Sequence, residues 1–238
     1  MKHTEKELLA LKDEIGQMWA LVLSQLEKSK QAFLDRDVEL ALEIIRREKR
    51  INVFELKIDC DCENYIALFS PVAIDLRLVL SLIKISSTLE RIGDFCESIA
   101  RHIVDDDCDG LEDHIVKELQ IEKMFDVLIG MLSDSYTAFE SENTKMSGKI
   151  LSQDNDIDSI YLNSLDILTE YMQKNAQFIR CGLRIYLLIR KLERIGDHCT
   201  NIVEEIVFYI DAKVLKHSGK KGKNGDKNET KEREVNNL

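Results

Sequence analysis

Two acidic pairs carry the clearest chemistry in this sequence: Glu90 with Asp94 and Glu193 with Asp197, each four residues apart and each inside the same string, Leu-Glu-Arg-Ile-Gly-Asp. On a helix turning about 100° per residue, this spacing stacks both carboxylates on one face. The same narrow arc takes in Glu97 and Arg101 after the first pair, and Asn201 and Glu204 after the second. More oxygen donors stand upstream in each case, Glu48 with Asn52 and Asp154 with Asp158, again at i, i+4. If antiparallel helices bring these pairs together, the carboxylates repel one another and their pKa values rise unless a cation sits between them. Oxygen-rich ligation favours Mg²⁺, Mn²⁺, Ca²⁺ or iron over a thiolate-bound zinc.

A lone ExxxD pair is ordinary helix surface, and it is the duplication of the whole string that points beyond it. Gly93 and Gly196 add to the argument. Glycine in a helix interior costs about 1 kcal/mol relative to alanine, a cost understood where a neighbouring backbone or ligand approaches closely. His198, directly after Asp197, has two readings of equal weight: a nitrogen donor to the cation, or a hydrogen-bonding residue on the helix flank.

The elements that must position these groups follow from an internal repeat. Ala32-Phe33, Glu48, Ile51 and Tyr65 match Ala138-Phe139, Asp154, Ile157 and Tyr171 at an offset of 106. Arg77, the string Leu89 to Asp94, and Cys96 match Arg180, Leu192 to Asp197, and Cys199 at an offset of 103. Apolar residues at helical spacing predict three segments in the first copy, about 3–34, 37–69 and 71–107, and three in the second, about 111–140, 142–174 and 176–214. Asp37 reads as the N-cap of the second segment, and Ser70-Pro71 as N-cap and first helical residue of the third. The Asp-rich stretch from Asp105 to Gly110 ends the first copy. Connections this short make neighbours antiparallel. The expected fold is therefore all-α: two tandem three-helix bundles, residues 1–109 and 110–215, followed by a Lys-rich tail, 216–238, too poor in apolar residues to order itself. In the third segment Leu82, Ile85, Leu89, Ile92, Cys96, Ile99 and Ile103 form the core face.

Bulk properties narrow the function. A net charge of −11 argues against nucleic acid, whose binding needs a basic surface. From Lys213 onward eight basic residues face four acidic ones, so the body is more acidic still and suited to cations, although solvated helix surface explains most of the excess. Six cysteines without a CxxC pair, and an opening MKHTEKELL unlike a signal peptide, predict reduced thiols in the cytoplasm. Cys96 and Cys199 read as small buried hydrophobes, and Cys60 and Cys62 as structural. No apolar run approaches the ~20 residues that span a bilayer, so any membrane association is peripheral, through partners.

The duplicated bundle with its LERIGDxC strings closely resembles the PhoU family of phosphate-signalling proteins. The resemblance covers almost all of residues 3–214, most specifically Ser70-Pro71-Val72-Ala73-Ile74-Asp75-Leu76-Arg77 leading into Leu89 to Asp94, and Leu192 to Glu204. It implies multinuclear metal sites, of iron or zinc with magnesium and manganese also described, and no established catalysis. It also implies an adaptor that restrains phosphate uptake and the phosphate-starvation response, contacting the ATPase subunit of the phosphate ABC transporter and the phosphate-sensing histidine kinase. We expect a homodimer. By position the implied ligands are Asp154, Asp158, Glu193, Asp197, Asn201 and Glu204 in the second copy, and Glu48, Asn52, Glu90 and Asp94 in the first, with Glu97 and His198 as additional candidates.

The first copy departs from the pattern: Asn52 stands for an acid, Ser98 for the equivalent of Asn201, and Arg101 for the equivalent of Glu204. Arg101 opposes a cation and is placed to pair with Glu97 or Asp94. The second bundle is accordingly expected to bind metal more tightly. Two rival functions are a metal-free helical interaction module and a carboxylate-bridged di-metal oxidase. The latter carries Glu-x-x-His pairs, which the third and sixth segments lack, so no enzyme activity is expected.

Overall fold

The computed structural model describes residues 3–105, 113–174 and 176–215. The rest, and with them Cys108, the junction between the two copies and the tail, lie outside the described residues. Among the described residues there are seven α-helices and no strand: α1 (His3–Asp35), α2 (Val38–Phe69), α3 (Ala73–Val104), α4 (Asp113–Glu118), α5 (Ile121–Glu140), α6 (Ser147–Lys174) and α7 (Ile179–Asp211). Short 3-10 turns at Thr144–Met146 and Ala176–Phe178 lead into α6 and α7.

Each long helix is an amphipathic solution to the spacing of its apolar residues. Leu11, Ile15, Met18, Trp19, Val22 and Leu26 make the buried stripe of α1, and every core residue expected on α3 is buried. Asp37 caps α2 by accepting a 2.9 Å hydrogen bond from the Leu40 N–H. Ser70 departs from expectation. It closes α2 rather than opening α3, in the left-handed region at φ 46°, its N–H donating to the Ile66 carbonyl at 3.1 Å. Pro71 explains this, because without an N–H it cannot extend the α2 ladder, and α3 begins only at Ala73 after an extended Val72.

The segment expected over 111–140 is also broken, between α4 and α5. Ile115 and Leu119 fall on one face and Ile121 does not, lying about 200° round a straight helix from Leu119. Turning the chain at Gln120 (φ 52°) lets all three be buried. A left-handed backbone costs a residue with a Cβ about 1–2 kcal/mol, so Gln120→Gly is expected to raise stability by up to about 1 kcal/mol, read from urea unfolding.

Helices α1, α2 and α3 form one bundle, and α5, α6 and α7 the other. The bundles join chiefly through α3 and α7, which run antiparallel. Arg77 Nε donates to the Tyr209 carbonyl (3.3 Å), Ser81 Oγ to the Glu205 carbonyl (3.3 Å), and Arg184 Nη2 to the His102 carbonyl (3.1 Å). Ser81 and Arg184 are repeat equivalents, as are His102 and Glu205, so one contact is made twice about a pseudo-twofold axis. That axis passes close to Arg91 and Arg194. Phe95 and His198, also equivalents, meet beside it with ring centroids 5.7 Å apart. Helices α1 and α5 add the second junction: Trp19 packs on Tyr136 and Phe139 and donates Nε1 to the Leu132 carbonyl at 3.1 Å. One hydrophobic core runs through both bundles. No described helix is long and apolar enough to cross a membrane.

Candidate metal centre

In the first bundle α2 and α3 bring acids together. Glu48 is buried, Asn52, Glu90 and Glu97 are partly buried, and Asp94 is exposed. Burial pushes the Glu90 carboxyl up to about 7, with Asp94, Glu55 and Glu48 adding repulsion against the relief from Arg91. Glu48 is likewise raised by burial and by Glu97 and Asp94, though a hydrogen bond from Asn52 opposes this. Asp94 is raised by burial and then by Glu97. Arg101 grips Glu97 through Nη2 (2.6 Å) and Nε (3.1 Å), choosing it over Asp94.

The sign of the resulting pH dependence follows from linkage. Unfolded, Glu90 releases its proton near 4.5; folded, it holds it to about 7. Its contribution is therefore favourable below 4.5 and is lost as pH rises through 7. Thermal melts in chelator between pH 4.5 and 8 are expected to show Glu90→Gln losing less stability with rising pH than the parent. Equal slopes would remove the carboxylate-cluster account.

In the second bundle α6 and α7 pack so that Gly196 meets Asp154. A Cβ at Gly196 would lie 2.8 Å from Asp154 Oδ1, whereas at Gly93 it would meet Ile51 Cδ1 at 2.7 Å. Both glycines thus mark the close approach of the preceding helix, but only in the second bundle is the approaching group a carboxylate. Asp154, Asp158, Glu193, Asp197 and Glu204 are partly buried and Asn201 is exposed. Arg194 Nη1 lies 3.6 Å from Asp197 Oδ2. His198 is buried against Phe95, on the α3 side of α7 and about 200° round the helix from Gly196. Burial, with Arg194 and Arg91, lowers its pKa. Among the described residues no three His, Cys, Asp or Glu side chains already form a metal cage.

Oxygen donors nonetheless fit a hard cation. Asn52 Oδ1 is buried and accepts no hydrogen bond, which leaves a carbonyl oxygen beside the Glu48 carboxylate. A cation there would satisfy that oxygen and relieve the raised carboxyls together. Thiolates are not available to it: Cys96 and Cys199 are fully buried, and burial raises both thiols. Cys62 is buried as expected of a structural residue, but Cys60 is exposed, because residues two apart on a helix face opposite ways.

A feature that the repeat could have flagged is a tyrosine pair one turn beyond Asp158. Tyr161 and Tyr186 stack at 5.6 Å with their hydroxyls 2.8 Å apart, where the first bundle has Glu55 and Ile83. The acidic row therefore continues in the first bundle and stops at a phenol pair in the second.

The PhoU domain profile matches residues 15–103 and 121–206, one match on each bundle. The chain belongs to the PhoU family. It is 31% identical over 213 residues to the phosphate-specific transport system accessory protein PhoU of Escherichia coli (strain K12), covering 90% of this chain and 87% of that one. A PhoU homolog of Aquifex aeolicus is 30% identical, with 89% and 95% covered. The crystal structure of PhoU from Pseudomonas aeruginosa superposes with a TM-score of 0.82 at 27% identity, covering 88% of this chain and 99% of that one. That of the phosphate transport system regulatory protein PhoU from Streptococcus pneumoniae gives 0.78 at 27% identity, over 90% and 99%. The family-model matches span both copies of the repeat, and the two crystal structures superpose over nearly their whole length.

Proposed function

We propose that this protein is a metal-binding regulator of phosphate transport which restrains phosphate uptake and phosphate-starvation signalling. The observation that carries the regulatory part is near-full-length similarity, in both bundles, to proteins named as accessories of a phosphate-specific transport system. On this reading the protein works in the cytoplasm as a homodimer without catalysing a reaction. It docks on the ATPase subunit of the phosphate ABC transporter and on the phosphate-sensing histidine kinase, and reaches the membrane only through them.

In the second bundle Asp154, Asp158, Glu193 and Asp197, extended by Asn201 and Glu204, would hold iron, zinc, magnesium or manganese. In the first, Glu48, Asn52, Glu90 and Asp94 would do so, with Glu97 drawn off by Arg101. A bound cation would fix α6 to α7, or α2 to α3, and present positive charge on an acidic body. The second bundle is the tighter site, because Glu204 stands where the first bundle has the cationic Arg101. Metal analysis of purified protein is expected to show Asp197→Ala losing more metal than Asp94→Ala, and loss confined to Asp94→Ala would overturn the ranking. Affinity capture from phosphate-replete cells is expected to recover transporter or kinase components. Their absence would refute the adaptor role. A second reading is a metal-free interaction module, for which capture would be unchanged in chelator.

A further inference from the structure

The body of this chain is acidic, yet the α3–α7 seam is basic around Lys191; farther along it the buried Glu205 is paired with Lys84. Along α7, Arg184, Lys191 and Arg194 fall within about 80° of one another on the side that faces α3. Arg91, the repeat equivalent of Arg194, stands on α3 beside the pseudo-twofold axis.

Lys191 is the unusual member. Among the described residues four lysines are partly buried. Three have a carboxylate partner: Lys12 with Glu142, Lys28 with Glu43, and Lys30 with Asp126. Lys191 has none. The register set by the Ser81–Glu205 and Phe95–His198 contacts places Phe95 to His102 of α3 opposite it. The one acid in that stretch, Glu97, is taken by Arg101. Glu193 lies about 200° round α7 from Lys191, on the α6 side.

We propose that this seam binds a phosphate-type oxyanion, with Lys191 as the central cation and Arg184, Arg194 and Arg91 as its flanking donors. Guanidinium groups present planar pairs of N–H donors matched to a tetrahedral oxyanion, and a partly desolvated ammonium gains most from a counter-charge. Arg184 also donates to the His102 carbonyl and Arg194 lies near Asp197, so both are already held at the rim. The choice of phosphate rests on the regulatory reading above; the existence of an anion site does not. Free phosphate and the phosphates of a nucleotide share this chemistry.

The test is calorimetric titration of the full chain in chelator at constant ionic strength, with inorganic phosphate, ATP and sulfate in separate arms. Saturable binding of phosphate, or of ATP, is expected, and the stronger of the two identifies the source. Lys191→Met, which keeps the aliphatic stem, is expected to weaken binding about tenfold. The exposed Lys117→Met is expected to bind as the parent does. Lys191→Met is also expected to melt higher than the parent without ligand, since an uncompensated cation has been removed. No saturable heat in any arm, equal binding of sulfate, or undiminished binding by Lys191→Met would overturn the proposal. Failure to capture transporter components would count against the regulatory reading alone.

Discussion

Replacing Gly196 with alanine is expected to reduce cation affinity at the second bundle by about 10–100-fold, the range seen when groups supporting a metal ligand are disturbed. The added Cβ would sit 2.8 Å from Asp154 Oδ1, with Leu128 Cδ2 at 3.5 Å and Ile157 Cγ2 at 3.6 Å behind it. The carboxylate must swing away, because the helix backbone that carries the new methyl cannot move without repacking the core. Folding should survive, since alanine regains about 1 kcal/mol of helix propensity. Gly93→Ala makes the contrast: its Cβ presses on Ile51 Cδ1, which is buried, so the cost falls on packing, about 1–3 kcal/mol less the same propensity gain. Titration of chelated protein with metal, alongside urea unfolding, separates the two. Unchanged metal affinity in Gly196→Ala would mean that Asp154 is not a ligand.

Trp19→Ala is expected to cost about 3–5 kcal/mol, the range for deleting a large buried aromatic. Trp19 is 1% exposed, packs on Phe139 and Tyr136, and donates to the Leu132 carbonyl, so its loss opens a cavity between α1 and α5. At roughly 2–4 °C per kcal/mol for a chain of this size, the melting temperature should fall by about 10 °C. Because the core is continuous across both bundles, the parent should unfold in one step and the variant with reduced coupling between bundles. Calorimetry checks both; a fall of under about 3 °C would show that this junction contributes little to stability. Trp19→Phe keeps an aromatic ring in the gap and should lose about half as much.

Much of this could be read from residue spacing. The long helices, the duplication, the α3 core face, the burial of Cys96 and Cys199, and the pairing of Arg101 within its own stripe all depend on neighbours three or four residues apart, which a helix places together whatever surrounds it. The close approach at Gly93 and Gly196 was legible for a related reason: a mid-helix glycine needs a cause. Local reading failed where two signals competed. Ser70 suits an N-cap, but Pro71 ends the preceding helix first, and the periodicity running toward Gln120 breaks so that Ile121 can turn inward.

The acidic strings began as two equivalent pairs on a duplicated scaffold, and that equivalence is what the sequence by itself determined. Which atoms meet them was decided by tertiary packing. Asp154 enters the space left by Gly196, Glu48 is buried beside an Asn52 oxygen without a donor, and His198 turns into the seam against Phe95. The physical reason is that helical periodicity reports how each helix divides its own surface. The antiparallel register of α3 on α7 depends on residues 82 to 132 apart in sequence, and that of α6 on α7 on side chains on opposite sides of a turn. Only that register sets Arg91 and Arg194 about one axis and leaves Lys191 without a carboxylate partner among the described residues.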